Sequence, residues 1–258
     1  RYVKFMANLL RGNLGYSAYY TTSVNDIIST SLPWTIFVIS LATFFSFIVG
    51  IFLGAFAAQK RGTVIEWIIS TLSSIIQAVP PFILAVLILF TFSVSLRVLP
   101  LGGAYPVDVK PSFSFKFISS IFLHALGPML ATAIPQIASW TLAMRGNTSQ
   151  IMEEDFIRFA EIRGLRDTVI ARKYVRNNAV LPLVASLAIG VGYMLGRHTL
   201  VESIFNYPGI GFYFSKAIAA RDFGLLSGLF TLIVIGVIAA TFIADFVYAL
   251  IDPRVKLK

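Results

Sequence analysis

Apolar residues run through this chain in long uncharged blocks, separated by short polar ones. Leu32 to Gln59 carries no charged residue, and after Glu66 none follows until Arg97. Further apolar blocks cover residues 117–144, 183–203 and 225–250. About 20 apolar residues suffice to cross the hydrocarbon core of a bilayer. The pattern therefore predicts an all-α fold, a polytopic transmembrane helical bundle with five spans at 32–59, 66–96, 117–144, 183–203 and 225–250. An odd number of spans puts the two termini on opposite faces.

The breaks are as informative as the runs. Lys60, Arg61 and Gly62 predict a tight turn. Gln77, Pro80 and Pro81 interrupt the second span. A proline pair removes backbone hydrogen bonds and kinks a helix, which a bilayer tolerates only where neighbouring protein satisfies the freed groups. That face is expected to line the bundle interior. Pro128 and Pro135 are expected to shape the third span. Residues 98–115 hold three prolines and two glycines and read as an external loop. Tyr207, Pro208, Gly209, Ile210 and Gly211 predict a second. Ahead of the first span, Val24, Ile27, Ile28 and Leu32 fall at helical spacing. They predict a short helix along the membrane surface, or else a simple tether.

Composition sharpens this picture. The chain of 258 residues is 57% hydrophobic and 13% charged, with a mean hydropathy of +0.81. A soluble domain carries about 25% charged residues, so half the usual water-facing material is missing. The net charge of +9 sits at the ends of apolar runs, where it sets topology rather than binding nucleic acid. Cysteine is absent, which excludes disulfides, thiolate metal sites and a cysteine nucleophile. His124 and His198 are too far apart for a paired-histidine metal motif on one helix. Nothing marks a boundary or repeat, so residues 1–258 read as a single membrane domain.

Charge is dense only from Arg145 to Pro182, where seven basic and five acidic residues crowd between two spans. Glu153, Glu154 and Asp155 precede a helical pattern, as suits the positive end of a helix dipole. Phe156, Phe159, Ala160 and Arg163 then share one face at three- and four-residue spacing. Gly164 stands where the helix would stop, because glycine accepts a left-handed backbone without strain. Arg166, Arg172, Lys173 and Arg176 lead back to the membrane, and Pro182 opens the next span. Placing Lys60, Arg61, this stretch and the C-terminal tail on one side puts twelve Lys and Arg there against nine opposite. That small bias favours a cytoplasmic place for residues 145–182 and the C-terminus.

Phe159-Ala160-Glu161-Ile162-Arg163-Gly164-Leu165, followed by Arg176-Asn177-Asn178-Ala179-Val180-Leu181-Pro182, resembles the coupling-loop signature of permease subunits in ATP-binding-cassette importers. More narrowly, it resembles the dipeptide, oligopeptide and nickel branch. Glu202-Ser203-Ile204-Phe205-Asn206-Tyr207-Pro208-Gly209-Ile210-Gly211 and Asp252-Pro253-Arg254-Val255 are similar to that branch too. So are Asn8-Leu9-Leu10-Arg11-Gly12-Asn13-Leu14-Gly15 and Leu99-Pro100-Leu101-Gly102-Gly103. The resemblance covers essentially the whole chain in order. It departs in two ways: Arg158 and Phe159 stand where the general signature has Glu and Ala, and the interval from Gly164 to Pro182 is longer. Members of the branch carry a further N-terminal span, so a sixth helix is expected ahead of Arg1.

The resemblance implies a multi-pass subunit of the cytoplasmic (inner) membrane, itself no enzyme. It would form half of a translocation pathway for peptides, or for oligosaccharides or nickel chelates. A coupling helix with Phe156, Phe159, Ala160, Glu161, Arg163 and Gly164 would dock on an ATPase. Phe156, Phe159 and Ala160 are the expected packing contacts; Glu161 and Arg163 would pair with the ATPase or with surface neighbours. The implied partners are a second, homologous permease, two ATP-binding subunits and an extracellular substrate-binding protein. No cofactor is expected in this chain, which lacks a GxxxxGK(S/T) loop. ATP and Mg would sit on the partner ATPases.

Ionisable residues inside spans are functional hypotheses by default. Arg197 and His198 are candidates for the substrate path, with pairing of Arg197 to Glu202 as the structural alternative. Asp245 is expected near the cytoplasmic boundary, neutralised by the charged stretch or by Arg254. Glu66 is expected to pair with Lys60 or Arg61, and His124 to be a hydrogen-bonded packing residue. A rival from another class is an ion-coupled secondary transporter or channel using Arg197, His198 and Asp245. A membrane scaffold without transport is a second.

Overall fold

The computed structural model describes residues 2–251, apart from the side chains of 2–5, 185, 188–197, 240, 243–245 and 247–251. Helix α1 (Tyr2–Leu10) leads into a two-stranded hairpin, β1 (Tyr16–Ser17) and β2 (Thr22–Ser23), paired antiparallel. The remaining elements are helical: α2 (Val24–Gln59), α3 (Val64–Ala78), α4 (Pro81–Ile88) and α5 (Phe115–Ile151). They are followed by α6 (Asp155–Ile162), α7 (Asp167–Val169), α8 (Arg176–Arg197), α9 (Thr199–Ile204), α10 (Ile210–Ala220) and α11 (Phe223–Ile251). Two π-helical segments, Leu89–Ser95 and Ile170–Val175, continue α4 and α7.

Helices α2 and α5 are each long and apolar enough to cross a bilayer. The pair formed by α3 and Pro81–Ser95 would make a third span, broken between them. That break is the consequence of Pro80 and Pro81. Helix α3 ends at Ala78, and Pro81, whose missing N–H is no loss in a first turn, opens α4. Helix α5, by contrast, runs unbroken through Pro128 and Pro135. Helix α11 runs through the expected span 225–250, whereas α8 ends at Arg197 and α9 takes up the last residues of the expected span 183–203. Large apolar side chains point outward along the chain, among them Phe44, Phe52, Phe56, Trp67, Phe90 and Phe242. Exposed apolar surface on this scale is what a protein surrounded by lipid presents.

The contacts gather into two compact units, each drawn from three separated segments. The first uses the chain up to Leu41, Pro81–Thr132 and Gly192–Ala240; the second uses Ala42–Pro80, Ala133–Val191 and the chain from Thr241 onward.

In the first unit, Val24, Ile27 and Ile28 of α2 form a core with Ile210 and Ala217 of α10 and Leu225 and Leu229 of α11. This overturns the expectation of a separate surface helix or a tether before the first span. The spacing of those residues does mark one helical face, but the helix is the first turns of α2 and its face packs inward. The hairpin is fastened to the turn between α10 and α11 by Asp222. Its carboxylate accepts from the Ser17 hydroxyl at 2.6 Å and from the amides of Tyr19 and Leu225 at 3.0 Å each.

In the second unit, Ala55, Met144, Ala179 and Leu183 form the core between α2, α5 and α8. A Cβ at Gly50 would collide with Trp140, and one at Gly54 with the Thr141 carbonyl and Met144. Two glycines four residues apart thus let α2 approach α5 closely, the small-residue device of membrane helix pairs. Ser46 donates to Gln136 at 2.9 Å along the same seam, and Asn147 donates to the Ala179 carbonyl at 3.1 Å.

Candidate coupling helix and the outer motif

Helix α6 is built by its ends. Glu154 is the extended N-cap residue and Asp155 lies in the first turn, where the helix dipole favours a carboxylate. At the other end Gly164 has φ +71°. The Gly164 amide donates to the Glu161 carbonyl at 2.8 Å and the Leu165 amide to the Ala160 carbonyl at 3.2 Å. These paired bonds across a left-handed glycine are a Schellman stop, so the sequence-predicted role of Gly164 as terminator holds in the geometry.

The helix has two apolar faces. Ile157 and Ala160 are buried against Ile170 and Val175, with Ile151, Leu165 and Tyr174 packed around them. Phe156, Phe159 and Ile162 are 40%, 65% and 81% exposed at three-residue intervals. Glu161 and Arg163 are exposed as well. Ala160 therefore does not share the outward face with Phe156 and Phe159, as its spacing suggested. A helix turns 100° per residue, and three-residue spacing from Ile157 carries Ala160 inward. Ile162 completes the outward face, a place that its charged neighbours Glu161 and Arg163 conceal in the sequence.

Charged residues of the same unit brace the loop. Glu66 accepts from the Gly62 amide at 3.0 Å and from Arg145 Nε at 2.7 Å. This corrects the expected pairing of Glu66 with Lys60 or Arg61. Thr63 caps α3 by accepting from the Glu66 amide, while the Glu66 carboxylate spans from the Gly62 amide to Arg145 of α5. Arg61 instead donates to Glu153 at 2.8 Å.

The Glu202–Gly211 motif lies in the first unit. Glu202 is buried, and its Oε2 accepts from the Gly211 amide at 2.7 Å. A Cβ at Gly209 or Gly211 would run into that carboxylate, so the glycines are required by a close approach rather than by a turn. Thr35 of α2 accepts from the Ile210 amide at 2.8 Å, and Tyr207 is buried edge-on to Trp34. The Phe205 carbonyl accepts from the Gly103 amide at 3.2 Å, which binds the 98–115 loop to α9.

The two candidates for a substrate path fare differently. His198 is buried, with Nδ1 3.0 Å from the Thr132 hydroxyl. The side chains of Arg197 and Asp245, and the whole of Arg254, lie outside the described residues. His124 is half-buried, with Nδ1 2.8 Å from the Ser120 carbonyl, as a packing residue would be.

Helices sized for a bilayer, together with a charged loop that turns an apolar helix face outward, define a helical membrane protein. The chain belongs to the family of binding-protein-dependent transport system inner membrane components, whose model matches residues 50–257. Two curated relatives agree. The di/tripeptide transport system permease protein DppB of Pseudomonas aeruginosa is 28% identical over 269 residues, covering 99% of this chain and 80% of its own. The oligopeptide transport system permease protein AppB of Bacillus subtilis is 26% identical over 257 residues, with the same coverage. In fold, the chain is similar to the MetNI methionine ABC transporter solved in inward-facing conformations. The TM-score is 0.65 at 18% identity, over 88% of this chain and 96% of that one.

Proposed function

We propose that this chain is the permease subunit of an ATP-driven importer and forms half of a membrane pathway for peptides. Oligosaccharides and nickel chelates are the related solute classes. The observation that carries the reading is α6, whose Phe156, Phe159 and Ile162 face outward while its other face is anchored in the chain. Apolar residues held in that way need a partner surface. The names of the relatives supply the class of cargo.

On this reading α2, the broken α3–α4 pair, α5, α8 and α11 are five spans, and residues 145–182 and the C-terminus are cytoplasmic. Helix α6 docks on an ATP-binding subunit, where ATP and Mg reside; this chain contributes no cofactor site and does no hydrolysis. A second, homologous permease completes the pore, and an extracellular binding protein delivers peptide to the loops near Tyr207. Closure of the ATPases moves α6 as a rigid lever. The rival reading, an ion-coupled carrier using Arg197, His198 and Asp245, is not favoured by family membership.

Two measurements test this. Replacing Phe159 and Gly164 together with glutamate is expected to leave the chain in the membrane and abolish ATPase co-purification. Because the native chain has no cysteine, single-cysteine reporters give an unambiguous topology. Phe159→Cys is expected to react only with reagents that reach the cytoplasm, and Ser112→Cys only from outside. Retained co-purification, or labelling from the opposite sides, refutes the proposal.

A further inference from the structure

A cavity of about 640 Å³ lies in the second unit, between the ends of α2 and α5 on one side and α6, α7 and the following π-helix on the other. Its buried part is apolar, with Ala55, Ile157, Ile170 and Val175. Among these sits Thr148, 3% exposed, whose hydroxyl has no hydrogen-bond partner. A buried hydroxyl left unmade costs about 1–3 kcal/mol, so its presence in a cavity wall needs a reason. Four charges also line the cavity: Glu161 and Asp167, Arg172 and Arg176. Among the described residues none of the four makes an ion pair within 4.0 Å. The segment that brings in Arg172 is π-helical, a local distortion frequent at functional sites.

We propose that this cavity binds a short zwitterionic peptide. Its carboxylate would lie on Arg172 and Arg176, its ammonium on Glu161 and Asp167, and its side chains against the apolar wall. The volume falls within the roughly 300–1,000 Å³ typical of small-ligand sites. The charge pattern selects the class. A multiply charged anion such as a nucleotide would face the two carboxylates, and a cation would face the two guanidinium groups. Like-charge contacts of that kind are strongly disfavoured. A molecule with both signs at its ends meets neither penalty.

The site deepens the reading of the chain as a peptide importer with 145–182 in the cytoplasm, and rests on it. Imported peptide would accumulate on the side where this cavity lies. A peptide bound there joins α6, through Ile157 and Glu161, to the ends of α2 and α5, through Gln59 and Thr148. A ligand shifts an equilibrium only by its different affinity for the two states. If α6 moves against those ends during turnover, a peptide bridging them favours one arrangement and slows the cycle. The cavity is thus a product-sensing site.

The test is equilibrium binding of radiolabelled trialanine to the importer purified with its permease and ATPase partners but without binding protein. Wild type is expected to bind trialanine at a site at least tenfold weakened in Arg172→Gln/Arg176→Gln, an exposed and a half-buried position. Ala171→Trp, which fills the cavity without touching charge, is expected to abolish that site. N-acetylated and C-amidated trialanine should each compete at least tenfold less well. Absence of binding in wild type, equal binding in both variants, or equal competition by glycerophosphoethanolamine, a zwitterionic lipid headgroup, would overturn the proposal. Peptide uptake by proteoliposomes of the complete importer tests the transport reading separately. Uptake with no such site sinks only the sensor; no uptake of any peptide sinks the assignment of peptide as the cargo.

Discussion

Truncating the outward face of α6 should weaken ATPase association by an amount readable from exposure. Full burial of a large apolar side chain is worth about 1.5–3 kcal/mol, and only the part still exposed can contribute to docking. Phe159, 65% exposed, therefore has about 1–2 kcal/mol to give, Ile162, 81% exposed, slightly more, and Phe156, 40% exposed, about half as much. Together they supply about 3–6 kcal/mol, or roughly 10²- to 10⁴-fold in dissociation constant. Ile162→Ala, Phe159→Ala and Phe156→Ala should weaken binding in that descending order in a titration of purified permease with labelled ATPase. Their thermal stability should be unchanged. Ile157→Ala supplies the contrast. It is 3% exposed in the core with Ala160, Ile170 and Val175, so its loss should cost about 2–5 kcal/mol of stability. If Phe159→Ala and Ile162→Ala leave ATPase affinity within twofold while melting the chain, the assignment of faces is wrong.

Asp222 should make the fastening of the N-terminal hairpin sensitive to acid. Burial pushes its carboxyl up, but the Ser17 hydroxyl and the amides of Leu225, Tyr19 and Ala18 outweigh it and hold it below the usual range. A depressed carboxylate contributes stability above its unfolded value, about 3.9, and loses it as pH falls through the lower folded value. Wild-type melting temperature should therefore drop below about pH 4, and Asp222→Asn should be less stable at neutral pH with a flatter acid limb. Gly54→Leu should cost about 1–3 kcal/mol by overpacking, read as a lower melting temperature. Gly146→Ala, with nothing within 4 Å of the added Cβ, should be neutral or stabilising.

How much of this the chain announces depends on the range of the forces involved. Helices α2 and α5 are legible because each is a local run of apolar residues longer than the hydrocarbon core. Helix α6 is legible for a similar reason: Asp155 and Gly164 mark its ends within ten residues, and both signals act on the adjacent backbone. Which way a helix faces is not local. Phe159 and Ala160 differ by 100° of rotation, and only Ile170 and Val175, folded back from beyond the glycine, decide that Ala160 goes inward. The partner of Glu66 is 79 positions away, out of reach of any spacing argument. The hairpin and its anchor Asp222 are separated by about two hundred residues and leave no periodic trace. Gly50 and Gly54 are the exception. Their spacing signals a close helix contact, but it was hidden within a run read only for its length.

The two-faced nature of α6 bears on how force could pass through it. Eight residues make about two turns, too few for a helix to persist alone in water. It must therefore be held by tertiary contacts before it can push on anything. The exposed ion pair of Arg61 with Glu153 cannot hold it, since such pairs are worth about 0–1 kcal/mol. What remains is the buried seam of Ile157 and Ala160 against Ile170 and Val175, closed at one end by the glycine stop. A partner pressing on Phe159 and Ile162 would load that seam directly. Softening it with Ile157→Ala should therefore uncouple ATP hydrolysis from transport at temperatures where the ATPase still binds. Loss of hydrolysis and transport in equal proportion would show instead that the seam only supports folding.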